Sequence, residues 1–257
     1  MNSKHPATDA PITIRPLDKQ EEFRACVELQ GSVWKFDELD LIPRRVFTVA
    51  RAIGGQVMGA FAGEQLVGFA MALPGIRNGH PYLHSHMLAV QPQYRNRGIG
   101  AQLKWAQRAD ALARGIDLIE WTFDPLVLKN AYVNIEKLGA VARRYTPDFY
   151  GVSSSALHGG MPTDRLHAEW WLRSERARRM EHNLPQVQCP LSETITVTDI
   201  DNEGHKLAWE EALSVQTGLR DRLLAAFAKK LTVLRFQVQP DGSGTYQLGH
   251  WDETWEH

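Results

Sequence analysis

Apolar and polar positions alternate at Ile12-Thr13-Ile14-Arg15, which predicts a short strand after a loose polar arm over residues 1–10. From 19 to 36 the apolar residues Phe23, Val27, Leu29 and Val33 recur at near-helical spacing, and residues 44–53 show a similar pattern after Pro43. A β pattern follows: Val57–Ala62, a turn at Gly63-Glu64, and Leu66–Leu73, which together read as a hairpin. Residues Gly75–His80 read as a polar loop. A strand at Tyr82–Val90 then leads through Gln91–Arg97 into a helix over about 99–114. That helix places Ile99, Leu103, Ala106 and Ala109 on one face, and Gly115 stops it.

A further strand, Leu118–Phe123, is followed by Asp124-Pro125 as N-cap and first-turn residue of a helix running to Leu138, with Gly139 at its end. Strands are expected at Val141–Tyr145 and His167–Leu172. Strand, helix, strand, helix and strand in this order imply an α/β fold with a mixed, partly parallel sheet. The stretch 183–194 carries Pro185 and Pro190, has no periodicity, and reads as a linker. Beyond it a helix is expected over Leu207–Ala228, broken near Gly218, then a hairpin of Leu231–Val238 and Tyr246–Trp251 around Asp241-Gly242-Ser243-Gly244. The expected division is a main domain at 1–182, the linker, and a small α+β extension, helix plus hairpin, at 195–257.

At 257 residues and 43% apolar, the chain is long enough to bury a real core, on the order of 70–75% of its unfolded surface. Its net charge is −1 with acids and bases interspersed, which argues against a nucleic-acid or membrane partner, since either would usually show a basic stripe. Cys26 and Cys189 are too few for a disulfide framework. The N-terminus lacks the apolar run of a signal peptide, and no stretch approaches the roughly 18 apolar residues of a membrane span. A cytoplasmic protein is expected.

The richest local signal runs Leu88-Ala89-Val90-Gln91-Pro92-Gln93-Tyr94-Arg95-Asn96-Arg97-Gly98-Ile99-Gly100. A strand delivers the chain to a basic, glycine-bearing loop that opens a helix. Unpaired N–H groups at a helix start, with the dipole behind them, attract anions. Gly98 and Gly100 let a diphosphate approach the backbone, and Arg95 and Arg97 add charge. A P-loop is excluded, because no Gly-Lys-Ser/Thr follows. A dinucleotide fingerprint, which Gly98-Ile99-Gly100 begins and for which Glu120 lies at about the right distance, fits less well: Leu103 takes the third glycine position, and seven residues separate Val90 from Gly98.

Arg95-Asn96-Arg97-Gly98-Ile99-Gly100, with Val90-Gln91-Pro92 before it, resembles the hallmark Arg/Gln-x-x-Gly-x-Gly/Ala of the GNAT acetyltransferases. In order and spacing the likeness covers about residues 11–150. The runs Tyr82-Leu83-His84-Ser85-His86-Met87, Asp117–Pro125 and Gly160–Arg165 resemble a bacterial branch without an assigned substrate. The resemblance implies the GNAT acyl-CoA N-acyltransferase fold and acetyl-CoA, or another acyl-CoA, as co-substrate without a metal. It implies transfer to an amine of a small molecule or peptide by direct attack in a ternary complex, and it allows a homodimer. Leu88, Ala89, Val90, Arg95, Asn96, Arg97, Gly98, Ile99, Gly100 and Asn130 would contact the cofactor. Pantetheine would lie like an extra strand where the Tyr82–Val90 and Leu118–Phe123 strands splay, and an N–H near Leu88 would polarise the thioester carbonyl.

Deprotonating the acceptor ammonium requires a base. Glu120, mid-strand, is the first candidate, against the competing reading of a core carboxylate paired with an arginine. His84 and His86, at i and i+2 on one strand, are the others, against hydrogen-bonded core histidines. Many relatives place a thiolate-protonating tyrosine four residues before the glycine of Leu138-Gly139. Here that residue is Ile135, so Tyr132 or water would take the role. The departure also suits a catalytically idle acyl-CoA-binding sensor. In the later half, Arg143, Arg144, Tyr150, Arg165, His167, Glu169, Trp170 and Trp171 suit either an acceptor pocket or sheet packing.

Overall fold

The computed structural model describes residues 10–35, 40–151, 160–198 and 207–251, so the predicted N-terminal arm falls almost wholly outside the described residues. The chain divides into two compact units, one of described residues up to Ile116 and one of described residues from Asp117.

The first unit holds β1 (Ile12–Pro16), α1 (Gln20–Trp34), α2 (Arg44–Ala52), β2 (Gln56–Ala62), β3 (Gln65–Arg77), β4 (His80–Val90) and α3 (Ile99–Ala113). Its strands pair antiparallel in the order β1-β2-β3-β4. Phe23, Cys26 and Leu29 of α1 and Phe47 and Ala50 of α2 pack with Val57, Phe69, Met71, Met87 and Ala89. Ile99 and Leu103 of α3, with Tyr94, pack with Met58, Ala60, Val67 and Ala70. Adjacent β2 residues, Val57 and Met58, thus feed separate clusters. With apolar partners on both faces, the strand reads as a continuous run and not as an alternation.

The polar loop expected over Gly75–His80 is replaced by strand. Here β3 runs on to Arg77, β4 starts at His80, and Arg77 pairs with His80. The reversal needs only Asn78 and Gly79, whose φ values of 50° and 80° are the left-handed pair a tight two-residue hairpin turn requires. Pairing along β4 overrides the poor strand propensity of Pro74 and Gly75.

The second unit holds β5 (Leu118–Phe123), α4 (Leu128–Tyr132), β6 (Val141–Thr146), β7 (Arg165–Trp171), α5 (Glu175–Glu181), β8 (Glu193–Val197), α6 (Trp209–Ala228), β9 (Thr232–Val238) and β10 (Gly244–Gly249). Its strand order is β5-β7-β6-β9-β10-β8. The C-terminal hairpin therefore shares a sheet with β5–β7, through Ala142 opposite Val233. Helix α6 is fastened by Arg220, whose guanidinium donates to both oxygens of the fully buried Asp164 at 2.8 and 2.9 Å. Tyr145 donates to the same carboxylate at 2.6 Å.

Three local expectations are corrected here. Asp124 does not cap the helix: its Oδ1 accepts the Leu126 N–H at 2.9 Å, closing a tight turn, and α4 starts only at Leu128. After five residues α4 widens into a π-turn over Val133–Lys137, where Leu138 N donates to Val133 O at 3.0 Å. Helix α6 runs unbroken through Gly218. The unpredicted β8 pairs with β10, and residues 183–192 contain no helix or strand.

Candidate functional site

After β4 a 3-10 turn over Pro92–Tyr94 sends Tyr94 wholly inside, anchoring the loop, while Arg95, Asn96, Arg97 and Gly98 are exposed. Asn96 and Gly98 both adopt left-handed backbone, with φ of 63° and 73°. Gly98 is the N-cap of α3, and the first helical bond runs from Gln102 N to Gly98 O at 3.0 Å. The N–H groups of Ile99, Gly100 and Ala101 therefore precede any carbonyl one turn back in the helix, which gives the helix start its partial positive charge. Arg97 lies 5.4 Å from the Tyr94 ring centroid, and Arg95 Nε donates to Val90 O at 3.3 Å. Both cations thus border the opening of α3.

The strand entering this loop is irregular. Met71 pairs with Met87 but Ala72 pairs with Ser85, leaving His86 as an extra residue, a β-bulge. The bulge explains a change of face. Ser85 bonds to Lys104 and Gln107 of α3, and Leu88, three residues on, packs with the same α3-side cluster. Regular alternation would put residues three apart on opposite faces. The His84 and His86 rings lie 6.1 Å apart, so the structure keeps this pair together. Burial lowers the His86 pKa below its ordinary 6.5, so the ring is neutral at pH 7 and able to accept a proton.

The predicted apolar face of α3 needs correction. Ala109 is exposed, and the buried face carries Ile99, Leu103, Lys104, Gln107, Arg108 and Ala111. Lys104 Nζ donates to Ser85 Oγ at 2.8 Å, and Ser85 Oγ donates to Gln107 Oε1 at 2.9 Å. The sequence reading missed these three residues. The available signal was the i, i+4 progression 99, 103, 107, 111, which makes Gln107 a core position and draws Lys104 in beside it.

In the second unit another bulge gathers charge. Ala142 pairs with Ala168 and Tyr145 with Leu166, so Arg143 and Arg144 stand against His167 alone. Glu120 and Glu169 are directly opposed on β5 and β7, and both are buried. Arg144 donates to Glu120 at 2.8 Å and lies 3.6 Å from Glu169, while Arg143 Nε donates to Glu169 at 3.0 Å. Two opposed buried carboxylates repel, and the paired guanidinium groups offset this. Glu120 thus has the arrangement of an arginine-paired core carboxylate. Of the other later-half residues, Tyr150 shares a hydrogen bond of 2.9 Å with Thr122, and Trp170 is fully buried as packing. Among the described residues no group of three or more His, Cys, Asp or Glu could hold a metal ion, and no helix is long and apolar enough to cross a membrane.

Residues 20–132 match the Acetyltransferase (GNAT) family. That segment of the chain is of the GNAT kind. Solved GNAT-type structures share its fold at low identity. The ribosomal-protein-S18-alanine N-acetyltransferase of Escherichia coli is 13% identical, with TM-score 0.50, over 64% of this chain and 96% of that one. The yncA protein of Salmonella typhimurium, solved with its cofactor acetyl-CoA, is 15% identical, with TM-score 0.51, over 64% and 95%. A GNAT-family structure from Desulfovibrio desulfuricans is 14% identical, with TM-score 0.52, over 63% and 99%. No curated protein matches the sequence.

Against the GNAT pattern, the helix after β5 is where this chain departs. Ile135, in the position expected to carry a tyrosine acid, is fully buried inside the π-turn. Tyr132 is 37% exposed, with the Lys137 ammonium 5.4 Å from its ring centroid. It lines an open cavity of about 510 Å³ together with Glu136, Arg235, Phe236, Gln237 and Val238. Asn130 is exposed on α4.

Proposed function

We propose that this protein is a GNAT acyltransferase that moves an acetyl or related acyl group from an acyl-CoA to an amine of a small molecule or peptide. The exposed, glycine-capped start of α3 carries the reading. A Cβ at Gly98 would meet nothing within 4 Å, and one at Gly100 would meet only Leu88 Cδ2 at an ordinary 3.5 Å. Crowding within the protein therefore does not explain Gly100, whereas close approach of a diphosphate to bare backbone does. The donor set fits such a group: the Ile99, Gly100 and Ala101 N–H groups with Arg95 and Arg97 beside them.

Acetyl-CoA, when bound, supplies an acyl group activated as a thioester, whose thiol has a pKa of roughly 8.5. The main chain of Leu88–Val90 lines the acyl end, and an N–H near Leu88 polarises the carbonyl. Holding both reactants at once provides much of the rate through proximity. His86, neutral because burial disfavours its charged form, takes the proton from the acceptor ammonium. Glu120, already engaged with Arg144, suits a structural role better. In the balance, the amine nitrogen bonds to the acyl carbon, the C–S bond breaks, and the ammonium proton passes to His86. The thiolate leaves and takes a proton from water.

The test is calorimetry with coenzyme A and thiol release from acetyl-CoA across an amine panel. Acceptor-dependent release, abolished by Arg95→Glu/Arg97→Glu together with coenzyme A binding, is the expected result. A protein that binds no millimolar coenzyme A has no such function. The buried Ile135 favours a second reading, an acyl-CoA sensor without turnover, which predicts coenzyme A binding but no release with any amine.

A further inference from the structure

We infer that Lys104 is a positioning residue for acyl transfer: through Ser85 it holds the β4 bulge that orients the His86 ring. The inference rests on the proposed function, in which His86 takes the acceptor's proton.

A lysine at a buried helix position needs a reason, because desolvating an ammonium is expensive. Burial drives the Lys104 amine well below its ordinary pKa, so the charged form is disfavoured there. What the amine reaches is specific. Its Nζ donates to Ser85 Oγ at 2.8 Å, and that hydroxyl donates onward to Gln107 Oε1 at 2.9 Å, so Ser85 both accepts and donates. Gln107 O in turn accepts from Gln56 Nε2 at 2.8 Å, and the same nitrogen donates to Asp110 Oδ2 at 2.7 Å. A buried polar strip therefore runs from α3 through β2 and finishes on the residue next to the bulge.

A bulge forfeits ladder bonds and is free to migrate unless something pins it. Sliding the extra residue by one position turns the side chains it passes to the opposite face. The Ser85 hydroxyl tie holds β4 against α3 immediately before His86, which keeps the extra residue at 86 and the His86 ring beside His84. The same helix begins at the proposed diphosphate cradle, so α3 carries one end of the site and sets the base of the other.

The test uses the full chain and the variants Lys104→Met, Ser85→Ala, Ser85→Thr, His86→Ala and Lys104→Met/His86→Ala. Expected is a roughly ten- to hundredfold fall in kcat for Lys104→Met and Ser85→Ala, with KM for acetyl-CoA and calorimetric Kd for coenzyme A within about twofold of the parent. Ser85→Thr, which keeps the hydroxyl, should retain most of the rate. In the His86→Ala background Lys104→Met should add no further loss. Independently of turnover, the His86 ring signals in a heteronuclear NMR spectrum of the free protein should move in Lys104→Met and Ser85→Ala. Unmoved ring signals in both variants, or an equal loss from Lys104→Met with and without His86, would overturn the proposal. If His86→Ala lowers kcat but Lys104→Met does not, the Lys104 role alone is wrong. If His86→Ala leaves thiol release unchanged, the base assignment fails and the Lys104 role falls with it.

Discussion

Gly98→Ala separates backbone strain from ligand approach in a single substitution. Gly98 sits at φ 73°, and a Cβ there would meet nothing within 4 Å, so the added methyl meets no neighbour. Its only intrinsic penalty is the left-handed backbone, about 1 kcal/mol relative to glycine. Gly63, in the turn between β2 and β3, is an internal control with φ 60° and the same empty surroundings. Both variants should therefore lose about 1 kcal/mol, a fall in Tm of roughly 2–4 °C by thermal unfolding. Their ligand affinities should differ. If Gly98→Ala escapes its strain by rearranging the loop, the competent fraction drops up to about fivefold, and calorimetric Kd for coenzyme A rises to match. Gly63→Ala should leave that Kd unchanged. Equal effects of the two substitutions on Kd, or none from Gly98→Ala on either quantity, would refute the assignment of this loop.

Asp164→Ala strands Arg220 and Tyr145 inside the second unit, and urea unfolding should show a loss of about 3–5 kcal/mol, with Asp164→Asn milder. The His86 pKa is lowered from 6.5 by burial, so between the folded and unfolded values only the unfolded chain binds the proton. Stability should thus fall as pH drops below about 6.5 and level off below the folded value. An acid slope unchanged in His86→Gln, followed by urea midpoints, would show that another group titrates. Burial first, and the Glu22 charge second, push the Cys26 thiol up to about 12, while Cys189 is half-buried. At pH 8 about one Cys26 in ten thousand is thiolate, so a disulfide reagent should titrate one thiol rapidly in the folded protein and two after denaturation.

The sequence was most readable where local chemistry and tertiary packing agree. The loop from Tyr94 to Gly100 is such a place, since both glycines, both arginines and the following apolar spacing require one another. Gly115 as the stop of α3 is another, with its φ of 74°. Reading failed where pairing outweighed local preference. Pro74 and Gly75 look like loop, yet β4 holds them in register, and only Asn78-Gly79, the strongest hairpin signal in the region, makes the turn. On α3 the apolar character of Ala106 and Ala109 points to them as the core face. The helix buries Lys104 and Gln107 instead, because Ser85 offers them partners that only the folded sheet supplies.

The two bulges mark the limit of pattern reading for a site of this kind. A regular strand offers a face only every second side chain, so consecutive residues cannot serve one place. Arg143 and Arg144 do serve one place, meeting Glu169 and Glu120, because the extra residue in β6 changes the alternation between them. On β4 the extra residue lets Ser85 and Leu88 share the α3 side while His86 stays with His84. In each case the residues that break periodicity are the charged or titratable ones, and a period-two search treats them as noise. An insertion or deletion next to His86 should therefore harm the site more than replacement of any one apolar neighbour, because it shifts which side chains face α3 all along the strand.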